Sequence, residues 1–172
     1  DPAIRVVTFT GAGRAFVAGG DIAARASRGA LAHYKEFAET IHRILRRIEL
    51  LDKPTIGAIN GFALGGGTEL LLTFDLRLLS DKAKLGLPEI NLGLFPGAGG
   101  TQRILREIPA CRAREIMYLG EMISPDEAVA IGLALDTRYS MQVGRLEAGG
   151  DERVYALLKR LGGMGVDVSD PA

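Results

Sequence analysis

The sequence predicts an α/β fold, and three observations carry that prediction. Short β-branched runs recur along the chain, stretches with apolar residues at every third or fourth position lie between them, and glycine or proline punctuates the changeovers. At 172 residues the chain suits one domain, or one with a small appendage, and is long enough to bury a real core.

The elements follow in order. "IRVVTF" (4–9) reads as a buried strand closed by the turn "TGAG". From Leu31, the apolar residues Tyr34, Phe37, Ala38, Ile41, Leu45, Ile48 and Leu51 recur at helical spacing. They predict an amphipathic helix that stops at Asp52, Lys53 and Pro54. "TIGAIN" (55–60) is a second strand, and a glycine triplet then leads into a helix from about Gly66 to Phe74. Further strands are expected near "LRLLS" (76–80) and "KLGL" (84–87). "GAGGTQRILREI" reads as a loop running into a helix that Pro109 stops. In "SPDEAVAIG" Ser124 is the N-cap, Pro125 takes the first helical position, Glu127 completes a capping box and Gly132 ends the helix. A core unit over 1–136 and a tail over 137–172 are expected, the tail with a helix around 151–161 and a fraying, glycine-rich end.

Lys plus Arg and Asp plus Glu number 21 each, so net charge favours neither nucleic acid nor an anionic membrane. The lone cysteine, Cys111, rules out an intrachain disulfide framework and fits a reducing compartment. "ELLLTFDLRLL" is broken by Asp75 and Arg77, short of the roughly 20 apolar residues of a membrane span, so a soluble protein is expected. Asp1 is not a natural start, and residues upstream are expected.

Three stretches have the chemistry of a site. In "AFVAGGD" (15–21) paired glycines either let backbone amides approach a ligand or form an ordinary loop. In "GFALGGGTELLL" (61–72) a strand, a glycine loop and a helix start aim bare N–H groups outward, with the positive end of the helix dipole behind them. Such a place suits a phosphate or a developing oxyanion, although neither G-x-G-x-x-G nor G-K-[ST] is present. Glu69, in that first turn, is either a favourable charge at a helix start or an acid/base group. In "LGLPEINLGLFPGAGG" (85–100) Glu89 follows a proline among apolar residues, a setting that can raise a carboxyl group toward the working range of a general acid. Two glutamates beside two glycine loops suit acid/base work next to a carbonyl.

"AFVAGGD", "AINGFALGGGTELLLTFDLRLLS" and "LGLPEINLGLFPGAGGTQR" resemble, in order and spacing, the central motifs of the enoyl-CoA hydratase/isomerase family, the crotonase superfamily. The likeness covers about residues 4–136. It implies a spiral of ββα units, a short C-terminal helical segment, and an oxyanion hole for an acyl-CoA thioester carbonyl built from two backbone amides. By motif position these are the amides of Gly20 and Gly66. Family members that hydrate 2-enoyl-CoA carry two glutamates, and here Glu69 and Glu89 lie 89 − 69 = 20 positions apart, as in the hydratases. The resemblance therefore implies that Glu69 deprotonates a water that attacks C3, Glu89 protonates C2, and Gly97 helps to seat the water. Isomerisation through one glutamate is the closest alternative.

The same resemblance puts Ala18, Asp21 and Ile22 at coenzyme A contacts. Ala23 and Ala24 stand where some relatives have lysine, which leaves Arg25 or Arg28 as phosphate contacts or as solvated surface residues. The family's first strands and an early CoA-contacting segment would lie before Asp1. Coenzyme A is part of the substrate, so no separate cofactor is expected. A homotrimer or dimer of trimers is expected, in the cytoplasm or the mitochondrial matrix. His33 and His42 lie nine apart on one helix, not at a metal-ligand spacing, and read as surface residues; no metal is expected. Cys111 reads as a structural thiol. The basic face "RILRRIE" (43–49) raises a different class of function, a non-enzymatic RNA or protein binder, but it lacks interleaved aromatics and a charge excess.

Overall fold

Odd and even strands separate into two parallel sheets in a computed structural model that describes residues 1–21 and 31–136. Expectations for Ile22 through Arg28, for the side chain of His33 and for the tail 137–172 lie outside the described residues. The first sheet has the order β1 (Val7–Thr10), β3 (Thr55–Ile59), β5 (Leu76–Leu79), β7 (Leu135–Asp136). The second has the order β2 (Ala15–Val17), β4 (Phe62–Leu64), β6 (Lys84–Gly86). Each turn of the chain lays one strand on each sheet before moving on, which is the spiral that the motifs imply. The first two turns end in α1 (Leu31–Glu49) and α2 (Gly66–Leu71). The third ends in the 3-10 helix Pro88–Leu92, and α3 (Gly100–Glu107), α4 (Ala110–Leu119) and α5 (Pro125–Ala130) follow.

Local chemistry accounts for the joints. Ser124 caps α5 by accepting from the Glu127 amide at 3.2 Å, while the Ser124 amide donates to Glu127 Oε2 at 3.0 Å, as the capping-box pattern predicts. Glu127 lies below the usual carboxylate range, chiefly because of that backbone hydrogen bond. The charges that interrupt the apolar run 69–79 have partners. Asp75 Oδ2 accepts from both the amide and the hydroxyl of Thr55 at 2.7 Å, tying the entry of β5 to that of β3. Buried Arg77 donates to Glu107 at 2.8 Å and to the Leu133 carbonyl at 3.0 Å.

Phe74, Ile59, Leu71, Leu79, Leu85, Leu87, Ile104 and Leu133 are fully buried between the sheets and the later helices. The ring of Phe74 stacks on Phe9 at 4.7 Å and meets Phe16 edge-on at 6.2 Å, joining β1 and β2 to the same core. Among the described residues no helix is long and apolar enough to cross a membrane.

Four elements differ from the sequence reading or were not named in it. "AFVAGGD" is not all loop, since Ala15–Val17 is a strand, and Phe62–Leu64 is a strand that the sequence reading did not separate from the glycine loop. The helix after the triplet ends at Leu71 rather than near Phe74, where the chain turns into β5. Ala110–Leu119, unread from sequence, is a helix that begins directly after Pro109, so this proline ends one helix and precedes the next.

Candidate active site

The glycine triplet answers to three separate demands. Gly65 is the N-cap of α2 at φ 54°, a conformation that side chains rarely adopt, and a Cβ there would lie 2.9 Å from Glu89 Oε1. A Cβ on Gly67 would collide with the backbone carbonyl of Val17. Gly66, between them, has no heavy atom within 4 Å of the place a Cβ would occupy; it opens on a cavity instead. Thr68 fixes this helix start from below. Its buried hydroxyl lies 2.6 Å from the Ala63 carbonyl and 2.8 Å from that of Gly86, and the Gly65 amide donates to the Gly86 carbonyl at 2.9 Å.

The cavity has a volume of about 790 Å³. Gly20 also lines it and likewise has no heavy atom within 4 Å of its would-be Cβ. The apolar stripe of α1 forms one wall through Tyr34, Phe37, Ile41, Ile44, Leu45 and Ile48. Only Leu45 of these is buried; Tyr34, Phe37 and Ile44 stay between 41% and 46% exposed, so this stripe faces open space more than core. The opposite side is made by Leu70, Leu94, Phe95, Gly97 and Ala98.

Glu69 and Glu89 both line this apolar space. Glu69 is only 3% exposed, and its Oε1 accepts two backbone hydrogen bonds, from Ala98 at 2.7 Å and Gly100 at 2.8 Å. A charged carboxylate in such a setting needs donors, and the residues on either side of the α3 N-cap provide them. Glu89 is half-buried on the 3-10 helix, whose position is set by Gly93 at its C-cap and by a hydrogen bond from Asn91 to the Gly120 carbonyl at 3.3 Å.

Of the residues singled out in the sequence, Gly20, Gly66, Glu69, Glu89 and Gly97 converge on the cavity. Ala18 and Asp21 are exposed residues flanking Gly19 and Gly20, outside the lining itself. Sequence reasoning missed the amides of Ala98 and Gly100 as the groups that hold Glu69, and missed His42, exposed on α1, as part of the lining. The "PGAGG" stretch was the available signal for the first two. Among the described residues no group of three or more His, Cys, Asp or Glu could hold a metal ion.

Comparison with known proteins identifies relatives of the chain. The family model described as Enoyl-CoA hydratase/isomerase matches residues 1–143. The crotonyl-CoA hydratase of Syntrophomonas wolfei is 44% identical over 134 residues, covering 77% of this chain and 51% of that protein. The short-chain-enoyl-CoA hydratase of Clostridium acetobutylicum is 42% identical over 134 residues, with the same coverage. The solved enoyl-CoA hydratase of Bacillus anthracis superposes with a TM-score of 0.78 at 38% identity, over 94% of this chain and 60% of that one. The chain thus spans about half the length of the relatives that it matches. The fold, the three motifs and the family model agree: the chain belongs to the enoyl-CoA hydratase/isomerase family of the crotonase superfamily.

Proposed function

We propose that the protein is an enoyl-CoA hydratase, which adds water across the 2,3 double bond of a 2-enoyl-CoA thioester to give the 3-hydroxyacyl-CoA. One observation carries this reading. Two carboxylates, Glu69 and Glu89, share a mostly apolar cavity with the bare backbone of Gly20 and Gly66. The names of the relatives support it.

In this mechanism the thioester oxygen sits between the Gly20 and Gly66 amides, which stabilise the enolate as charge moves onto that oxygen. Both hydrogen bonds to Glu69 use Oε1, so Oε2 is the oxygen that takes a proton from water as the water oxygen bonds to C3. Gly97, beside this carboxylate in the lining, helps to seat the water. Glu89 then delivers a proton to C2, and the enolate collapses back to the thioester. Each acid/base step contributes about 10²- to 10⁴-fold.

The acyl chain runs along the α1 wall, and the coenzyme A moiety leaves past Ala18 and Asp21. Coenzyme A enters as part of the substrate, and the reaction needs no separate cofactor. A homotrimer or dimer of trimers in a reducing compartment, the cytoplasm or the mitochondrial matrix, completes this reading; light scattering of the purified protein measures the assembly.

The test follows the loss of the conjugated enoyl-thioester absorbance of crotonyl-CoA for the wild type, Glu69→Gln and Glu89→Gln. Turnover should fall by about 10²-fold or more in each variant, with affinity for the saturated butyryl-CoA nearly unchanged. A wild type that binds butyryl-CoA but does not hydrate would sink the hydratase assignment.

A further inference from the structure

Arg103, in the "GGTQR" part of the third motif, has no role in the mechanism above, yet it stands directly behind Glu69. Its side chain is 10% exposed on α3. Nε donates to Glu49 Oε1 at 2.7 Å and Nη2 to Glu49 Oε2 at 3.2 Å, a two-pronged pairing that fits the planar guanidinium. Nη1 donates to the Ala98 carbonyl at 2.6 Å. Ala98 is also the residue whose amide grips Glu69 at 2.7 Å. Gly99, at φ 97°, makes this approach possible, because a Cβ there would collide with Nη1. A continuous line of contacts thus runs from Glu49, the last residue of α1, through Arg103 and Ala98 to Glu69.

We propose that Arg103 is a positioning residue for the hydration reaction: by holding the Ala98 carbonyl it fixes the two amides on Glu69, and through Glu49 it locks them to the helix that walls the acyl site. This rests on the hydratase reading for its kinetic consequence, but not for its effect on the Glu69 carboxylate. Buried ion pairs are weak contributors to stability, since desolvation offsets attraction, whereas their fixed geometry can specify an arrangement. A lysine keeps the charge, but a single ammonium cannot span a carboxylate and a carbonyl in the same fork.

Arg103→Lys is therefore the informative variant, with Glu49→Gln as its partner from the other side. Loosening the two amides frees the Glu69 side chain to leave the orientation that they impose on it. Among the described residues, the other charged or titratable side chains at its cavity are Glu89 on the 3-10 helix and Tyr34 and His42 on α1, with Glu49 and Arg103 behind the loop. Arg103→Lys leaves the charge of all of them unaltered.

The experiment combines crotonyl-CoA kinetics of the full chain with carbon-13 NMR of side-chain-labelled glutamate at one fixed pH, in which Glu69→Gln assigns the signal. We expect kcat to fall about 10- to 100-fold in Arg103→Lys with KM within about twofold of wild type. At that pH the Glu69 carboxyl carbon signal should shift or broaden, and Glu69→Gln combined with Arg103→Lys should be no slower than Glu69→Gln alone. Wild-type kcat, an unchanged Glu69 carboxyl signal or fully additive losses would overturn the proposal. If the wild type does not hydrate crotonyl-CoA, the hydratase reading falls, and the Glu69 carboxyl signal alone decides for or against Arg103.

Discussion

Two helix starts in this protein are built alike and used oppositely. Both α2 and α3 follow a positive-φ glycine, Gly65 at 54° and Gly99 at 97°, and neither has a side-chain cap. At α3 the amides of Ala98 and Gly100 turn onto the protein's own Glu69. At α2 Gly66 faces empty space. The contrast shows how one local device, a helix start stripped of side chains, can either hold a carboxylate or leave bare backbone at the edge of a cavity. Which it does depends on whether a carboxylate from elsewhere in the chain arrives first.

Four changes would break or sharpen that contrast. Gly67→Ala should have the largest effect, because its methyl group meets the Val17 carbonyl, a backbone atom that cannot turn aside. A loss of about 3 kcal/mol or more in chemical denaturation is expected, and an unchanged midpoint would refute the tight joint between β2 and α2. Gly100→Ala comes next. Its Cβ would stand 2.8 Å from Glu69 Cγ and 3.0 Å from Oε1, so the carboxylate must shift. Turnover of crotonyl-CoA should drop roughly 10- to 100-fold with a smaller loss of stability. Gly66→Ala should do the reverse at the other helix start. With open space at that position, stability should hold or rise by about 0.5 kcal/mol, while acyl-CoA affinity, read by calorimetry, falls several-fold as the methyl group enters the cavity.

The smallest effect concerns acid. Hydrogen bonding to Arg103, opposed by partial burial, holds Glu49 below the usual carboxylate value of 4.5. A group whose folded pKa is depressed contributes stability above its unfolded value and loses it as the pH falls through the folded one. Unfolding free energies should therefore decline as pH drops below about 4.5, and Glu49→Gln should flatten part of that decline. A variant with the same acid slope as the wild type would remove Glu49 from the account.

Much of this was legible in the sequence, for reasons that differ from element to element. The capping box at Ser124 is complete within four residues, so reading it needs no tertiary knowledge. The helix Leu31–Glu49 announces itself over five turns, although its stripe turned out to wall a cavity rather than to fill the core. The strands Ala15–Val17 and Phe62–Leu64 have three residues each, too short for a period of two to register. Glu69 and Glu89 were found from their motifs, but the hydrogen bonds from residues 98 and 100 span about 30 positions and belong to packing alone. Arg103 was in view inside the third motif, and only the fold links it through Ala98 to Glu69.

The two-sheet spiral also bears on how quickly the protein can form. Among the described strands every pairing is parallel, and the shortest loop that any of them closes runs from Ile56 to Leu76, 76 − 56 = 20 residues. Others, such as Val7 with Thr55, close 48. With no hairpin to zip up locally, chain entropy must be lost before any sheet contact compensates it, which puts this topology on the slow side of folding. Gly20, then Gly66 with Glu69, then Glu89 lie on three successive turns of the spiral, so the cavity exists only after those turns have stacked. A nascent or partly unfolded chain would accordingly have exposed apolar strand edges before it had any activity.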